Sequence, residues 1–283
     1  METAIVMVRC PDRKGLIARI TGLVAWLEGN VVTADQYTTA PEGGVFYMRL
    51  EFCFDPAGTG WDRVESTFAA LAVELQGECQ VHRSGVPLRV GILVSKQTHC
   101  LADVLFRQSL GELPLQVALV VGNHPDGGAL TQHYGVPFHH VPSLRENKAE
   151  AEARILELVS GTTDCLVLAR YMQVLSGDFL RAYGGDVINI HHSFLPSFKG
   201  ARPYEQAWER GVKVIGATAH FVTEDLDEGP IIEQQVQRIS HRDDAETLKR
   251  KGRTLEQLAL ASALEAYARR RVFRHGIRTI VFE

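Results

Sequence analysis

Four short runs of aliphatic and β-branched residues constrain the fold of this chain most strongly. They occupy residues 88–94, 117–121, 165–168 and 187–190. Segments with the apolar spacing of a helix, 102–110 and 148–159, separate them. A strand that is apolar on both faces must be covered on both faces, and intervening helices provide that cover. The pattern therefore predicts an α/β domain with a doubly wound, mainly parallel sheet.

The rest of this domain follows a different order. Residues 212–222 and 230–238 are predicted as two further strands around a turn. A long helix over 245–269 and a last strand over 277–282 complete the domain.

The first 84 residues predict a second, smaller domain. Their periodicity gives the order strand, helix, strand, strand, helix, strand. This order is typical of a ferredoxin-like α+β sandwich, with two helices on one face of an antiparallel sheet. Residues 83–87 read as a linker, so the predicted domains are 1–84 and 85–283.

Composition excludes several classes of protein. The chain is 45% hydrophobic and 23% charged, with a net charge of −4 and one arginine-rich stretch near its end, so we expect no nucleic-acid partner. No apolar run approaches the roughly 20 residues that cross a membrane. The N-terminal segment lacks the basic start and cleavage site of a signal peptide. The five cysteines are scattered without a CxxC pair. We expect a reduced, cytoplasmic protein without a membrane partner.

Asn189 and His191 end the strand over 187–190. Two residues apart, they project to the same side, at the edge where open α/β sheets bind ligands. Asn189 can donate a hydrogen bond and His191 can donate or accept one, so the pair could hold a carbonyl oxygen that becomes negative during attack. His192 is expected on the other side. A second interpretation stays open here, in which Asn189 caps a turn and both histidines lie on a solvent-exposed surface.

A loop with fixed geometry is expected to follow these residues. Pro196, Gly200 and Pro203 would restrict it.

A second group of polar residues lies in the segment VIGATAHFVTEDLDEGPII, residues 214–232. His220 interrupts an apolar strand, and Asp227 lies in an acidic turn that ends at Gly229-Pro230. This turn could be a turn and nothing more. If it converges with the Asn189–His191 strand end, an amide, imidazole and carboxylate would surround one reactive carbonyl.

Two other chemical interpretations are weaker. His191, His192, His220 and Asp227 are all zinc-ligand types, but the chain has no HExxH and neighbouring strand residues face opposite ways. We therefore expect no metal. Cys100, beside His99, is a conceivable nucleophile, although nothing in the preceding SKQT loop activates it.

The segments INIHHSFLPSFKGARPY and ATAHFVTEDLDEGPII resemble the folate-dependent formyltransferase fold, over residues 88–283. The resemblance implies that Asn189, His191 and Asp227 are catalytic. It also implies a folate pocket that includes the following residues: Met172, Leu175, His192, His220 and Val222. Gln173 stands where relatives commonly have arginine, so no charged contact is expected there.

Three features indicate which branch of the fold the chain resembles. The loop over 94–105 has no glycine to wrap a substrate phosphate, and we expect no further domain for a tRNA. HHSFLP, GARPY and THCLADVL, joined to the N-terminal CPDRKGLIARIT, are similar to the deformylase branch. That resemblance implies hydrolysis of 10-formyltetrahydrofolate to tetrahydrofolate and formate, linked to purine synthesis, with the folate as substrate and no cofactor.

The N-terminal domain is similar to ACT domains. That resemblance implies a homo-oligomer, and either a small amino-acid effector at the loop over 11–15 or a purely subunit-packing role for that loop. Two other functions stay open, namely transfer of the formyl group to an amine, and amino-acid sensing with a silent catalytic half.

Overall fold

The structure is a computed structural model that describes residues 1–40, 42–197 and 203–283. The chain forms two compact units. Unit 1 comprises residues 1–86 with 282–283, and unit 2 comprises residues 87–281.

Unit 1 has the predicted βαββαβ order. Its elements are β1 (Glu2–Pro11), α1 (Leu16–Trp26), β2 (Asn30–Thr38), β3 (Val45–Phe54), α2 (Trp61–Leu75) and β4 (Glu78–Arg83). The strands form one antiparallel sheet in the order β2-β3-β1-β4. Alternate residues of β1 and β3 face α1 and α2, and their apolar side chains form the core of the unit, which includes Val6, Phe52 and Phe68.

Unit 2 contains nine strands and six helices among its described residues. They are β5 (Leu88–Val94), α3 (His99–Ser109), β6 (Leu115–Gly122), α4 (Gly128–His133), β7 (Phe138–His140), α5 (Lys148–Val159), β8 (Cys165–Ala169), α6 (Gly177–Tyr183), β9 (Asp186–His191), α7 (Pro203–Glu209), β10 (Val214–Phe221), β11 (Ile231–Arg238), α8 (Ala245–Ala268), β12 (Val272–His275) and β13 (Arg278–Val281).

Seven of these strands form the main sheet of unit 2, in the order β11-β10-β9-β8-β5-β6-β7. The neighbours from β9 to β7 pair in parallel. The last two strands, β10 and β11, continue the sheet antiparallel. The predicted doubly wound, mainly parallel sheet is therefore confirmed, and β12 and β13 form a separate hairpin.

Helices cover both faces of this sheet. One apolar layer joins the sheet to α3 and α8, and includes Ile92, Leu101 and Leu260. The layer on the opposite face joins it to α5 and α6. All five residues of β8 are buried, which explains why this strand reads as a continuous apolar run.

Several sequence predictions were incomplete or wrong in detail. Helix α3 begins at His99, three residues before the predicted 102, and the predicted strand 277–282 is the second half of the β12–β13 hairpin. Elements α4, β7, α6 and α7 were missed. Among the described residues, no helix combines the length and apolar character needed to cross a membrane.

Candidate active site

A cavity of about 600 Å³ opens at the carboxyl ends of β8 and β9. Four parts of unit 2 supply most of its lining: residues 170–175 after β8, residues 189–192 at the end of β9, residues 220 and 222–227 at and after the end of β10, and three side chains of α8. The remaining lining residues are Gln97, Leu168, Tyr204 and Glu205. All eight side chains that the sequence assigned to the site line this one cavity. They are Met172, Leu175, Asn189, His191, His192, His220, Val222 and Asp227.

Asn189 and His220 form the first polar pair of the site. They lie opposite each other across the antiparallel β9–β10 pairing, and Asn189 Nδ2 is 3.1 Å from His220 Nε2. His220 Nδ1 is 2.9 Å from the carbonyl oxygen of Phe221, which can only accept, so Nδ1 carries the proton. Burial lowers the pKa of His220, so its Nε2 is an unprotonated acceptor. Asn189 therefore turns its NH₂ towards His220, and its second N–H is free to donate.

His191 and Asp227 form the second polar pair. His191 Nδ1 is 3.2 Å from Asp227 Oδ1, and both side chains are largely buried. The hydrogen bond from His191 lowers the pKa of Asp227, so this carboxyl group is ionised at neutral pH. His191 Nε2 is buried and has no hydrogen-bond partner within the described part of the chain. The ring thus has one nitrogen fixed by a carboxylate and one available to a bound molecule.

A tight turn after β10 places Asp227. Asp227 has a φ of 57°, a left-handed conformation that aspartate adopts more readily than most residues. Two residues later, a Cβ atom on Gly229 would lie 1.7 Å from the carbonyl oxygen of Phe221. Only glycine allows the returning chain to approach this closely, so the glycine of the predicted acid turn fixes the position of the carboxylate.

The loop after His191 is fastened to the neighbouring strand. Thr218, which lies opposite His191 on β10, donates from Oγ1 to the carbonyl of Ser193 and accepts from the backbone N–H of Leu195. These bonds hold residues 193–195 and with them the end of β9. Residues 198–202, including the predicted loop residue Gly200, and the side chain of Pro203 lie outside the description.

The other end of the cavity is apolar. Met172, Leu175 and Val222 line it together with Leu168 and Ile190. The segment over 170–175 is anchored at its end, where Glu152 accepts hydrogen bonds from the backbone and hydroxyl of Ser176 at 2.9 and 2.6 Å. Arg170 and Met172 both have positive φ, 63° and 60°. Left-handed conformations in larger residues are strained, and such strain concentrates at functional sites.

His192 lines the same cavity as His191, but its ring packs against Tyr204 of the layer that joins α3 and α8, whereas His191 pairs with Asp227. Ile188 and Ile190 of β9 face that same layer, as the alternation of side chains along a strand predicts. The two imidazole rings lie with centroids 5.0 Å apart. Burial, assisted by the positive charge of Arg170, lowers the pKa of His192 to about 3. His192 is therefore a neutral ring at physiological pH.

Sequence reasoning missed one group of side chains, around Glu256 on α8. Glu256 is 1% exposed and contacts His99, Arg170 and Tyr204. A signal was present, since Glu256 falls on the buried face of α8 with Leu248, Leu255 and Ala259. A carboxylate on an apolar helix face needs partners, and that requirement could have marked it.

His99, Cys100 and Glu256 bring three metal-ligand types together. The pKa of the Cys100 thiol is raised well above its usual range by burial, which favours neither a thiolate ligand nor a nucleophile. The guanidinium of Arg170 already lies 3.4 Å from the Glu256 carboxylate and supplies the positive charge there.

The fold and the site together define a class of protein. Residues 88–264 match the family described as formyl transferase. The chain is 46% identical to the formyltetrahydrofolate deformylase of Mycobacterium bovis and 43% identical to that of Bacillus subtilis. These alignments cover 98% of this chain and 90% and 93% of the two relatives. A crystal structure of formyltetrahydrofolate deformylase from Burkholderia mallei, 41% identical, superposes with a TM-score of 0.93 and covers 100% of both chains. The chain belongs to the formyltetrahydrofolate deformylase family.

Proposed function

We propose that this protein hydrolyses 10-formyltetrahydrofolate to tetrahydrofolate and formate. A water oxygen bonds to the formyl carbon, and the bond from that carbon to N10 of the folate breaks. One proton from water passes to the departing nitrogen, and the released formic acid ionises to formate. Such a reaction requires a placed water, stabilisation of the oxyanion and a path for the proton.

The polar side chains of the site match these requirements. Asn189 offers its free N–H and His191 offers Nε2 to the formyl oxygen. Asp227 orients the attacking water and accepts its proton, while its contact with His191 Nδ1 holds the imidazole ring in place. His220 acts on Asn189 by fixing which end of its amide faces the substrate. The apolar end of the cavity, with Met172, Leu175 and Val222, receives the flat pterin ring.

One observation carries the proposal. The amide of Asn189 and the imidazole of His191 come from β9 and the carboxylate of Asp227 from the turn after β10, and all three line one cavity. His191 Nε2 has no hydrogen-bond partner among the described residues. An arrangement with a fixed and a free imidazole nitrogen is suited to stabilising a developing negative charge.

We propose that the reaction needs no metal or cofactor. Both ring nitrogens of His220 are engaged by protein groups, and Nδ1 of His191 is held by Asp227. A catalytic zinc site uses three protein ligands and an open position. These three engaged nitrogens are not available to such a set. Formate release that persists after dialysis against a chelator would support this proposal. Loss of formate release on dialysis, with recovery when zinc is added, would contradict it.

The decisive measurement is formate release from 10-formyltetrahydrofolate with no acceptor present. A hydrolase releases formate under these conditions, whereas a formyltransferase does not. Binding of glycine or methionine without turnover would instead indicate a sensor with a silent catalytic half.

The role of Asp227 is tested in the same assay. We expect Asp227→Asn to lower kcat by about 100- to 1000-fold or more, and His191→Ala by a similar factor, because each removes an interaction made with the transition state. Folate affinity should change far less. Near-normal formate release by folded Asp227→Asn would refute the assigned role.

We propose that unit 1 joins subunits into a homo-oligomer and binds a small amino acid at residues 11–15. Gly15 begins α1 in a left-handed conformation, with a φ of 88°, and leaves open space at the first turn of the helix. Titration of the whole protein with glycine and with methionine tests the ligand. If neither amino acid gives a heat of binding, the loop serves only in packing between subunits.

We also propose a reducing location, the cytoplasm. The five cysteines are all free, as is usual where thiols are kept reduced. Fractionation of cells that express the tagged protein checks this.

A further inference from the structure

Three side chains from three separate parts of unit 2 meet around Glu256 on α8. His99 Nε2 lies 2.8 Å and Arg170 Nε 3.4 Å from one carboxylate oxygen, and the Tyr204 hydroxyl donates to the other at 2.7 Å. These four residues, the Glu256 cluster, come from α3, the end of β8, α7 and α8. Burial alone would raise the pKa of Glu256, but the hydrogen bond from His99 and the charge of Arg170 outweigh it and the pKa is lowered. The cluster is therefore built around a buried, ionised carboxylate.

Tyr204 is held in the cluster by the shape of α8 as well as by its hydroxyl. A Cβ atom on Gly252 would lie 2.1 Å from the end of the Tyr204 ring. The absence of that atom lets the tyrosine lie directly on the helix, one turn before Glu256. A glycine inside a 24-residue helix costs helix stability, about 1 kcal/mol relative to alanine, so a compensating contact is expected.

The Tyr204 ring then faces the reactive end of the cavity. It packs edge-on against His192, with centroids 6.3 Å apart, and His192 in turn lies against His191. Tyr204, His192 and Glu256 all line the cavity that holds the proposed catalytic residues. Two aromatic rings thus stand side by side next to the imidazole that faces the formyl oxygen.

This position matters for the choice between two reactions. In hydrolysis the attacking group is one water molecule, whereas in formyl transfer a larger amine must reach the same carbon. A wall of side chains beside His191 that narrows the approach to this carbon would admit water and exclude an amine. The neutral His192 ring can still hydrogen-bond to water, because burial and Arg170 keep it unprotonated.

We propose that Tyr204, seated on Gly252 and anchored by Glu256, forms with His192 the wall that excludes amine acceptors and reserves the formyl carbon for water. Tyr204 and Glu256 are positioning residues in this arrangement. The inference rests on the proposed function and adds the residues that decide its specificity.

The test uses two variants that displace the wall and leave Asn189, His191 and Asp227 unchanged. Tyr204→Ala removes the ring, and Gly252→Ala pushes the intact ring away from α8. Each whole protein is given 10-formyltetrahydrofolate with glycinamide as the amine probe, and both formate and N-formylglycinamide are measured. In transfer, the amine nitrogen bonds to the formyl carbon, the bond to N10 breaks, and the amine proton passes to N10.

We expect the wild type to release formate with no formylated amine above the uncatalysed background. In both variants the ratio of formylated amine to formate should rise at least about tenfold. Tyr204→Phe, which keeps the ring but loses the hydrogen bond to Glu256, should raise the ratio less than Tyr204→Ala. Gly22→Ala is the matched control, because Gly22 is an exposed residue of α1 with nothing within 4 Å of the added Cβ. Thermal midpoints and tetrahydrofolate binding report whether each variant is folded.

Folded Gly252→Ala and Tyr204→Ala that release formate at the wild-type rate without formylating the amine would overturn the proposal. If Tyr204→Ala does not fold, Gly252→Ala and Tyr204→Phe decide it alone. A wild type that releases no formate would instead contradict the proposed function, so the two failures are distinguishable.

Discussion

At the scale of single residues, the sequence identified the polar side chains that end a strand but not those buried behind them. Asn189, His191 and Asp227 are polar residues that interrupt apolar patterns next to predicted turns. This interruption allowed them to be predicted as site residues. The period of two along β9 separates His192, which packs against Tyr204, from His191, which pairs with Asp227. The Glu256 cluster joins residues up to 157 positions apart, and no local pattern reports such pairing.

His220 orients Asn189, and this role can be separated from folate binding. We expect His220→Phe to lower kcat for formate release by about 100-fold, since a misplaced donor loses most of its value in the transition state. KM should change little, because the pterin end of the cavity is untouched. The control is His133→Phe, an exposed histidine of α4. A loss of kcat/KM in His220→Phe that comes from a raised KM, with kcat unchanged, would contradict the orienting role.

His192 makes the stability of the fold depend on pH. Its pKa is lowered to about 3 in the folded protein, while an unfolded chain has a histidine pKa of about 6.5. Below pH 6.5 the unfolded chain binds a proton at this histidine, whereas the folded protein does not. The free energy of unfolding is therefore highest above pH 6.5 and falls as the pH decreases. Between about pH 7 and about pH 5.5 this amounts to about 1 kcal/mol.

The variant His192→Gln removes the titratable imidazole and changes no other charged group. Urea unfolding at both pH values should therefore show the wild type losing about 1 kcal/mol more than the variant. Parallel losses in the two proteins would show that folding does not lower the pKa of His192. His220, whose pKa is also lowered by burial, acts in the same direction in both proteins and cancels from the comparison.

At the scale of elements, the length of a helix or strand decided whether the sequence could predict it. The strands β5, β6, β8 and β9 were found because each is a continuous apolar run, and α8 because it repeats its apolar spacing over 24 residues. The missed helices α4, α6 and α7 have six or seven residues, too few for two turns of that spacing. The hairpin β12–β13 was read as one strand, since its turn at Gly276 separates two four-residue strands.

The turn after β10 is the element on which the carboxylate depends. We expect Gly229→Ala to lower formate release by about 100-fold, because the added Cβ would lie 1.7 Å from a backbone oxygen and must displace Asp227. The thermal midpoint should fall as well, since overpacking costs about 1–3 kcal/mol. The comparison is Gly60→Ala, at the start of α2, where the added atom meets nothing within 4 Å. Full activity in Gly229→Ala would show that the turn does not set the carboxylate position.

At the scale of the molecule, the sequence separated two kinds of domain because the periodicity changes near residue 85, from alternating strands to apolar runs between helices. The order of strands in each sheet could not be read in the same way. The placement of β10 and β11 antiparallel beside β9 brings His220 opposite Asn189, and only the pairing in space reveals this contact.

Strand β2 gives a test of the expected homo-oligomer. It is an edge strand of nine residues, and its outer side pairs with no strand in the described part of unit 1. Val32 and Tyr37 are 56% and 47% exposed on it. Long, exposed and partly apolar edges in natural proteins are normally covered or blunted, and a second copy of the same strand is a suitable cover.

We expect Val32→Lys to shift the protein to a lower mass in light scattering at micromolar concentration. A lysine buried at such an interface costs several kcal/mol, and about 3 kcal/mol corresponds to a dissociation constant raised by roughly 100-fold. Formate release per chain should persist, since every residue assigned to catalysis lies in unit 2. Val73→Lys is the control, a valine of α2 that is 80% exposed and away from the edge. An unchanged mass for Val32→Lys, with the wild type oligomeric, would place the subunit contact elsewhere than on this strand.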